Sequence, residues 1–155
     1  MITVFGSLNV DYVFQVAQLP APGETVLAAN MEMLPGGKGG NQALAAAKAG
    51  AKVHMVGAVG KDGLGDIAMA GLIAAGVDTS AVTQNLKPTG TAAINVDALG
   101  ENAITVSSGA NLEATGKSLD ATQLNSQTIL LLQMEVSMSA MADLIQRCRD
   151  VVANI

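Results

Sequence analysis

Apolar positions fall into two patterns that alternate along the chain. Short continuous runs occur at residues 2–5, 53–59 and 129–132, and between and after them apolar residues recur every three or four positions. Ile2 to Phe5 reads as a buried strand that breaks at Gly6. Val13, Phe14, Val16 and Leu19 continue an extended segment that ends in the turn residues Pro20, Pro22 and Gly23, and residues 25–34 run back as another extended stretch. A helix is expected from about Asn41 to Lys48, closed by Gly50 just past its end. The run at 53–59 is a short apolar strand. Ile67, Ala70, Ile73 and Ala74 then sit at helical spacing before Gly76, a second terminating glycine.

The middle of the chain has a different period. Residues 91–96 and 102–107 are two β-type runs joined by Asp97, Gly100 and their neighbours, the signature of a hairpin. After a polar stretch at 111–128, the run Ile129 to Leu132 is of the fully buried kind. The last segment places Met141, Ile145, Cys148 and Val152 on one helical face, with Arg147, Arg149 and Asp150 turned elsewhere. Strands alternating with helices predict an α/β fold with a parallel sheet flanked by helices, and the hairpin-like pairs predict a smaller β-sheet beside it. The chain stops where the last helix should hand over to another strand, so an incomplete domain is expected.

Composition narrows the class. Half of the 155 residues are hydrophobic, 14% are charged, and mean hydropathy is +0.40. No apolar run approaches the ~20 residues of a membrane span, which argues against a membrane partner. The first residues lack a basic stretch, and Asn9 and Asp11 interrupt them, so a cleaved leader is not expected. A net charge of −5 without a basic stripe argues against nucleic acid. The single cysteine, Cys148, precludes an internal disulfide and suits a reducing, cytoplasmic setting. With aromatics at 2%, core volume must come from aliphatic residues, methionine and alanine, and Met31, Met33 and the Met138–Met141 region read as filler.

Three groups of residues can carry chemistry. The first is the run Gly36, Gly37, Lys38, Gly39, Gly40 and Asn41 at the start of a helix. It is not a Walker loop, because Lys38 is followed by Gly39 and the position five before Gly37 is Glu32. It also lacks the spacing of a dinucleotide fingerprint. It does offer open backbone N–H groups at a helix N-terminus, a mobile cation at Lys38, and an amide at Asn41 that can cap the helix or donate outward. An ordinary glycine-rich helix entry is an equal reading. The second group is Asn9 and Asp11, whose two-residue spacing puts both side chains on one side of an extended chain, a clamp for neighbouring hydroxyls or else an Asx turn. The third is Glu135, at the end of a buried run, which reads as either a site carboxylate or a solvated charge. His54 has no clustered ligands nearby and reads as structural.

Taken in order, GSLNVD (6–11), LPAPGETV (19–26), GGKGGNQ (36–42), VGAVGKDGLGD (56–66), Thr89 to Asn111 and LLLQME (130–135) resemble the amino-terminal half of the ribokinase-type members of the PfkB carbohydrate kinase family. The resemblance covers essentially the whole chain. It implies ATP-dependent phosphorylation of ribose, with magnesium and a monovalent cation such as potassium. It also implies sugar contacts at Asn9, Asp11, Gly36, Gly37, Lys38, Asn41 and Glu135. Segments of about 12–35 and 89–108 would form a β-sheet lid that also makes a homodimer. The family's catalytic aspartate and ATP pocket belong to a carboxyl-terminal half that these residues do not include, so this chain by itself is expected to be inactive. Asp66, in GLGD, matches a different family stretch and is given no catalytic role. Fructose, nucleosides or sugar acids as substrates, and a non-catalytic sugar-binding or self-associating chain, stay open.

Overall fold

A computed structural model describes residues 1–119, 124–149, 151 and 155. Two four-stranded sheets organise them. The first contains β1 (Ile2–Phe5), β4 (Val53–Gly60), β5 (Asp78–Asn85) and β8 (Ile129–Leu132), in the order β5-β4-β1-β8 with every pair parallel. The second contains β2 (Asn9–Val16), β3 (Ala28–Gly36), β6 (Gly90–Val96) and β7 (Asn102–Ser107), in the order β3-β2-β6-β7. In it β2 and β6 are parallel, while the outer pairs are antiparallel. The expected parallel sheet flanked by helices is present with a second sheet beside it, but that second sheet has as many strands as the first rather than being the smaller one.

Helices cover both faces of the parallel sheet, and the period of two along its strands explains how. Val4 and Met55 face α1 (Lys38–Lys48) and α2 (Gly63–Ala74), where they pack with Ala43, Ala68 and Leu72. Phe5 and Val56 face the opposite side and pack with Met141, Leu144 and Cys148 of α3 (Met138–Cys148). Alternate strand residues thus feed two separate cores. Alanines at the helix contacts let α1 and α2 lie close to the sheet, so few aromatics are needed. Cys148 is fully buried, as its place on the apolar face predicts, and burial pushes its thiol pKa up. Val152, assigned to the same face from sequence, lies outside the described residues.

Three details depart from the sequence reading. Helix α1 begins at Lys38 rather than Asn41, with Gly37 as its N-cap and no side-chain cap. Asn41 therefore sits inside the first turns and its amide is not spent on capping. Strand β5 was not foreseen, because in Asp78–Asn85 only Ala81 is buried. It is an edge strand held by backbone pairing to β4, so its own side chains carry no strand pattern. Met31 and Met33 on β3 and Met138 at the start of α3 are exposed instead of filling the core, whereas Met141 is buried as expected. His54 is buried near the start of β4, in keeping with a structural histidine, and its Nε2 lies 4.0 Å from the Asp78 carboxylate.

One latch ties the two sheets together. Asp62, the N-cap of α2, accepts from the Gly65 N–H at 3.2 Å, the Thr89 N–H at 2.8 Å and the Thr89 hydroxyl at 2.6 Å. Thr89 Oγ1 in turn accepts from Gly60 N–H at 2.9 Å. The hydrogen bonds from Thr89, above all that of its hydroxyl, hold the Asp62 carboxyl below the usual carboxylate range. The start of β6 is thereby fixed to the β4–α2 turn.

Candidate functional site

Between β1 and β2 the chain leaves one sheet and enters the other through Gly6, Ser7 and Leu8. The N-terminus of α1 packs directly on this crossover, with the Gly40 N–H donating to the Ser7 carbonyl at 2.9 Å. A Cβ on Gly39 would stand 2.7 Å from backbone atoms of Gly6 and Ser7. Gly37 has φ 86° and would bring a Cβ to 2.8 Å from the Ser7 carbonyl oxygen. A Cβ on Gly36 would land 2.2 Å from the Asp11 carboxylate. Gly37 and Gly39 are therefore required first by the protein's own backbone, which approaches within limits only glycine permits, while Gly36 makes room for the Asp11 side chain.

This packing gathers the candidate polar residues. Asn9, Asp11, Gly37, Lys38, Asn41 and Glu135 line one cavity of about 150 Å³ at the carboxyl ends of β1 and β8. Gly36 lies beside it, against Asp11. Asn9 and Asp11 occupy the start of β2, and both side chains point to the same face, as their spacing predicts. The opposite wall is apolar. Ala92 and Ile94 of β6 register with Val106 and Ile104 of β7, so all four share that face.

The two carboxylates differ in surroundings. Glu135 accepts from the Ser7 hydroxyl at 2.7 Å and the Lys38 backbone N–H at 3.1 Å, and it pairs with the Lys38 ammonium. Burial works against its ionisation, but the hydrogen bonds from Lys38 and Ser7 and the Lys38 charge outweigh it and keep the carboxyl below its ordinary value. It also sits at the start of α1, where the helix dipole favours an anion. Asp11 accepts no hydrogen bond from any other described residue. Burial, assisted by the negative charge of Glu135, raises its pKa. Within one cavity, then, one carboxylate is saturated and the other is left open to an incoming donor.

These opposite shifts give a pH signature. A carboxyl whose folded pKa is raised contributes stability below its unfolded value and loses it as pH rises through the folded value. Glu135 behaves oppositely, losing its contribution as pH falls through its lowered pKa. Melting curves between roughly pH 3 and 7 should show Asp11→Asn gaining on the unsubstituted protein as pH rises above the ordinary carboxylate range of about 4. A difference that stays constant with pH would contradict the assignment to Asp11.

Sequence reasoning did not assign Ser7, although it lies within the GSLNVD stretch, two residues before Asn9. Its hydroxyl bridges Glu135 and, at 3.4 Å, the Gly39 N–H. The apolar wall was also not identified; its signal is the alternation within the 91–107 hairpin. Gln133 Nε2 donates to Gln42 Oε1 at 2.7 Å, joining the end of β8 to α1. Among the described residues no group of three or more His, Cys, Asp or Glu could hold a metal ion.

The site is thus a cavity above the carboxyl ends of a parallel sheet, walled on one side by a second sheet, which is the place where open α/β folds take their ligands. The chain belongs to the pfkB family of carbohydrate kinases, whose model matches residues 1–150. It is 40% identical to the ribokinase of Bacillus subtilis over 95% of this chain and 51% of that protein. To the deoxyribokinase of Salmonella typhi it is 36% identical, over 88% of this chain and 46% of the relative. Its fold matches the crystal structure of ribokinase from Thermotoga maritima with a TM-score of 0.87 at 36% identity, covering 98% of this chain and 51% of that one. The structure of Arabidopsis thaliana ribokinase complexed with ribose and ATP matches with a TM-score of 0.78 at 29% identity, covering 96% and 50%. The chain spans about half the length of the curated relatives it matches.

Proposed function

We propose that this chain supplies the sugar side of an ATP-dependent ribokinase, which transfers the γ-phosphoryl group of ATP to the terminal hydroxyl of D-ribose. The observation that carries the reading is the open Asp11 carboxylate beside Asn9, facing an apolar wall across a small cavity. A carboxylate with no protein donor accepts two hydroxyl protons, and Asn9 adds a polar partner for the same pair of oxygens. Ala92, Ile94, Ile104 and Val106 suit the C–H face of a sugar ring. Lys38 and Asn41 stand at the cavity edge as donors, and Glu135 holds Lys38 in place. In this reading the second sheet is a lid over the sugar that excludes water from the transferred phosphoryl group, and it pairs two protomers into a homodimer. ATP, magnesium and potassium would be bound by residues beyond those described here, and a cytoplasmic setting fits the single buried thiol.

The test is nucleotide-dependent ADP release, measured with the intact protein on ribose, 2-deoxyribose, fructose and adenosine. Ribose should give the highest kcat/KM. A preference for 2-deoxyribose would move the reading toward the deoxyribokinase relative, and turnover confined to fructose or adenosine would overturn it. A second reading, a sugar-binding chain without catalysis, is favoured by the gathering of all the candidate polar residues within these 155 positions. Calorimetry of the 155-residue chain with ribose separates the two, since binding without turnover is its signature.

A further inference from the structure

The crossover between the two sheets is held by a side chain that has no place in the cavity. Asn111 lies in a 3₁₀ turn (Gly109–Glu113) after β7 and is 1% exposed. Its Oδ1 accepts from the Leu8 backbone N–H at 2.9 Å, and its Nδ2 donates to the Leu8 carbonyl at 3.2 Å and to Asn9 Oδ1 at 2.7 Å. The turn is built to deliver it. Gly109 has φ 49°, and a Cβ there would stand 2.2 Å from the Pro88 carbonyl oxygen. Gly90, on β6, is overlaid by both asparagines; a Cβ on it would stand 2.2 Å from Asn9 Oδ1 and 2.3 Å from Asn111 Nδ2.

The donor and acceptor sense of this chain of bonds is not arbitrary. A backbone N–H can only donate and a backbone carbonyl can only accept, so Leu8 fixes which way the Asn111 amide faces. Asn111 then has one N–H left, directed at Asn9, and this group must meet an oxygen. Asn9 is 5% exposed, and its Oδ1 is engaged in this way. Its Nδ2 donates to no other described residue and is left for the cavity.

The geometry points to Asn111 as a positioning residue that sets the polarity of the site: it turns Asn9 so that an N–H donor, not a carbonyl oxygen, faces the ligand. Beside the acceptor Asp11, the site then offers one donor and one acceptor to adjacent ligand oxygens. A hydroxyl can give its proton to Asp11 while a lone pair on its neighbour accepts from Asn9. The inference rests on the sugar-binding reading only for its choice of probe.

A double-substitution cycle in the intact protein tests it. Asn111→Ala should weaken ribose binding roughly tenfold in calorimetry, because Asn9 is freed to present either face. In an Asn9→Ala background the same change should alter ribose affinity less than about twofold, since its effect passes through Asn9. The melting temperature should fall by a similar amount in both backgrounds, because the Leu8 clamp is lost in each. An equal loss of affinity in both backgrounds, or none in either, overturns the assignment. The unsubstituted protein provides a measurement that needs no variant to fold. The Asn111 side-chain N–H protons should exchange slowly, while those of Asn9 exchange fast until ribose is added. Asn9 N–H protons already protected without ribose would also overturn it. Should ribose fail to bind at all, the sugar reading falls, and the exchange rates of the two amides still decide the orientation of Asn9.

Discussion

Gly39→Ala is expected to lower the melting temperature by roughly 6–12 °C. The added methyl would meet three backbone atoms of Gly6 and Ser7 at 2.7 Å, and neither partner is a flexible side chain that could swing away. Relief requires moving the N-terminus of α1 off the crossover, which breaks the 2.9 Å bond from Gly40 N–H to the Ser7 carbonyl and disturbs the contact between Ser7 and Glu135. Overpacking of this kind costs about 3 kcal/mol, at the upper end of the usual range because both sides are main chain. For a chain of this size each kcal/mol is worth about 2–4 °C. Alanine is otherwise a better helix residue than glycine by about 1 kcal/mol, so a simple helix-entry role for Gly39 predicts the opposite sign. Scanning calorimetry on the two proteins decides between them. The cavity should suffer with the fold, because Lys38 and Asn41 are carried by the same turn.

Asp11→Asn should separate binding from stability. The Asp11 carboxylate is partly buried, accepts no hydrogen bond from another described residue and faces the charge of Glu135, so its ionised form is held at a cost. Replacing it by an amide of the same shape removes that cost. At neutral pH the melting temperature should hold or rise by up to about 2 °C, a small figure because the group is partly solvated. Sugar affinity should fall. Hydrogen bonds to a charged group are each worth about 1.5–3 kcal/mol, and an amide oxygen can replace at most one of two, so the dissociation constant for ribose should rise roughly 10²-fold. A variant that binds ribose normally would remove Asp11 from the site, whereas one that unfolds would make it structural. A gain in stability accompanied by a loss of binding is the pattern of a residue kept for its ligand.

Much of this architecture is legible in the residues because it depends on local patterns. The apolar runs at 2–5, 53–59 and 129–132 become β1, β4 and β8, the central and partner strands of the parallel sheet. The hairpin signal at 97–102 becomes the β6–β7 turn, with Asp97 Oδ1 accepting from the Leu99 and Glu101 N–H groups. Strand β5 escaped because its stability comes from the backbone of β4 rather than from its own side chains. The start of α1 was misread for a related reason. Glycine disfavours helix locally, and it is the fit of Gly39 against Gly6 and Ser7, with the bond from Gly40 N–H to the Ser7 carbonyl, that holds them in the helix.

The sequence by itself determined the chemical inventory: an acid and an amide two residues apart, a lysine in a glycine run, a carboxylate after a buried strand. It also determined which of these could share a face, since a period of two is a property of any extended chain. Which carboxylate would be filled and which left open was decided only in three dimensions. Glu135 meets Ser7 and Lys38 across 128 and 97 positions of chain, and Asn111 reaches Leu8 and Asn9 across 103 and 102. Partners that distant leave no periodic trace, because nothing in the local backbone depends on them until the two sheets have closed on the crossover between β1 and β2.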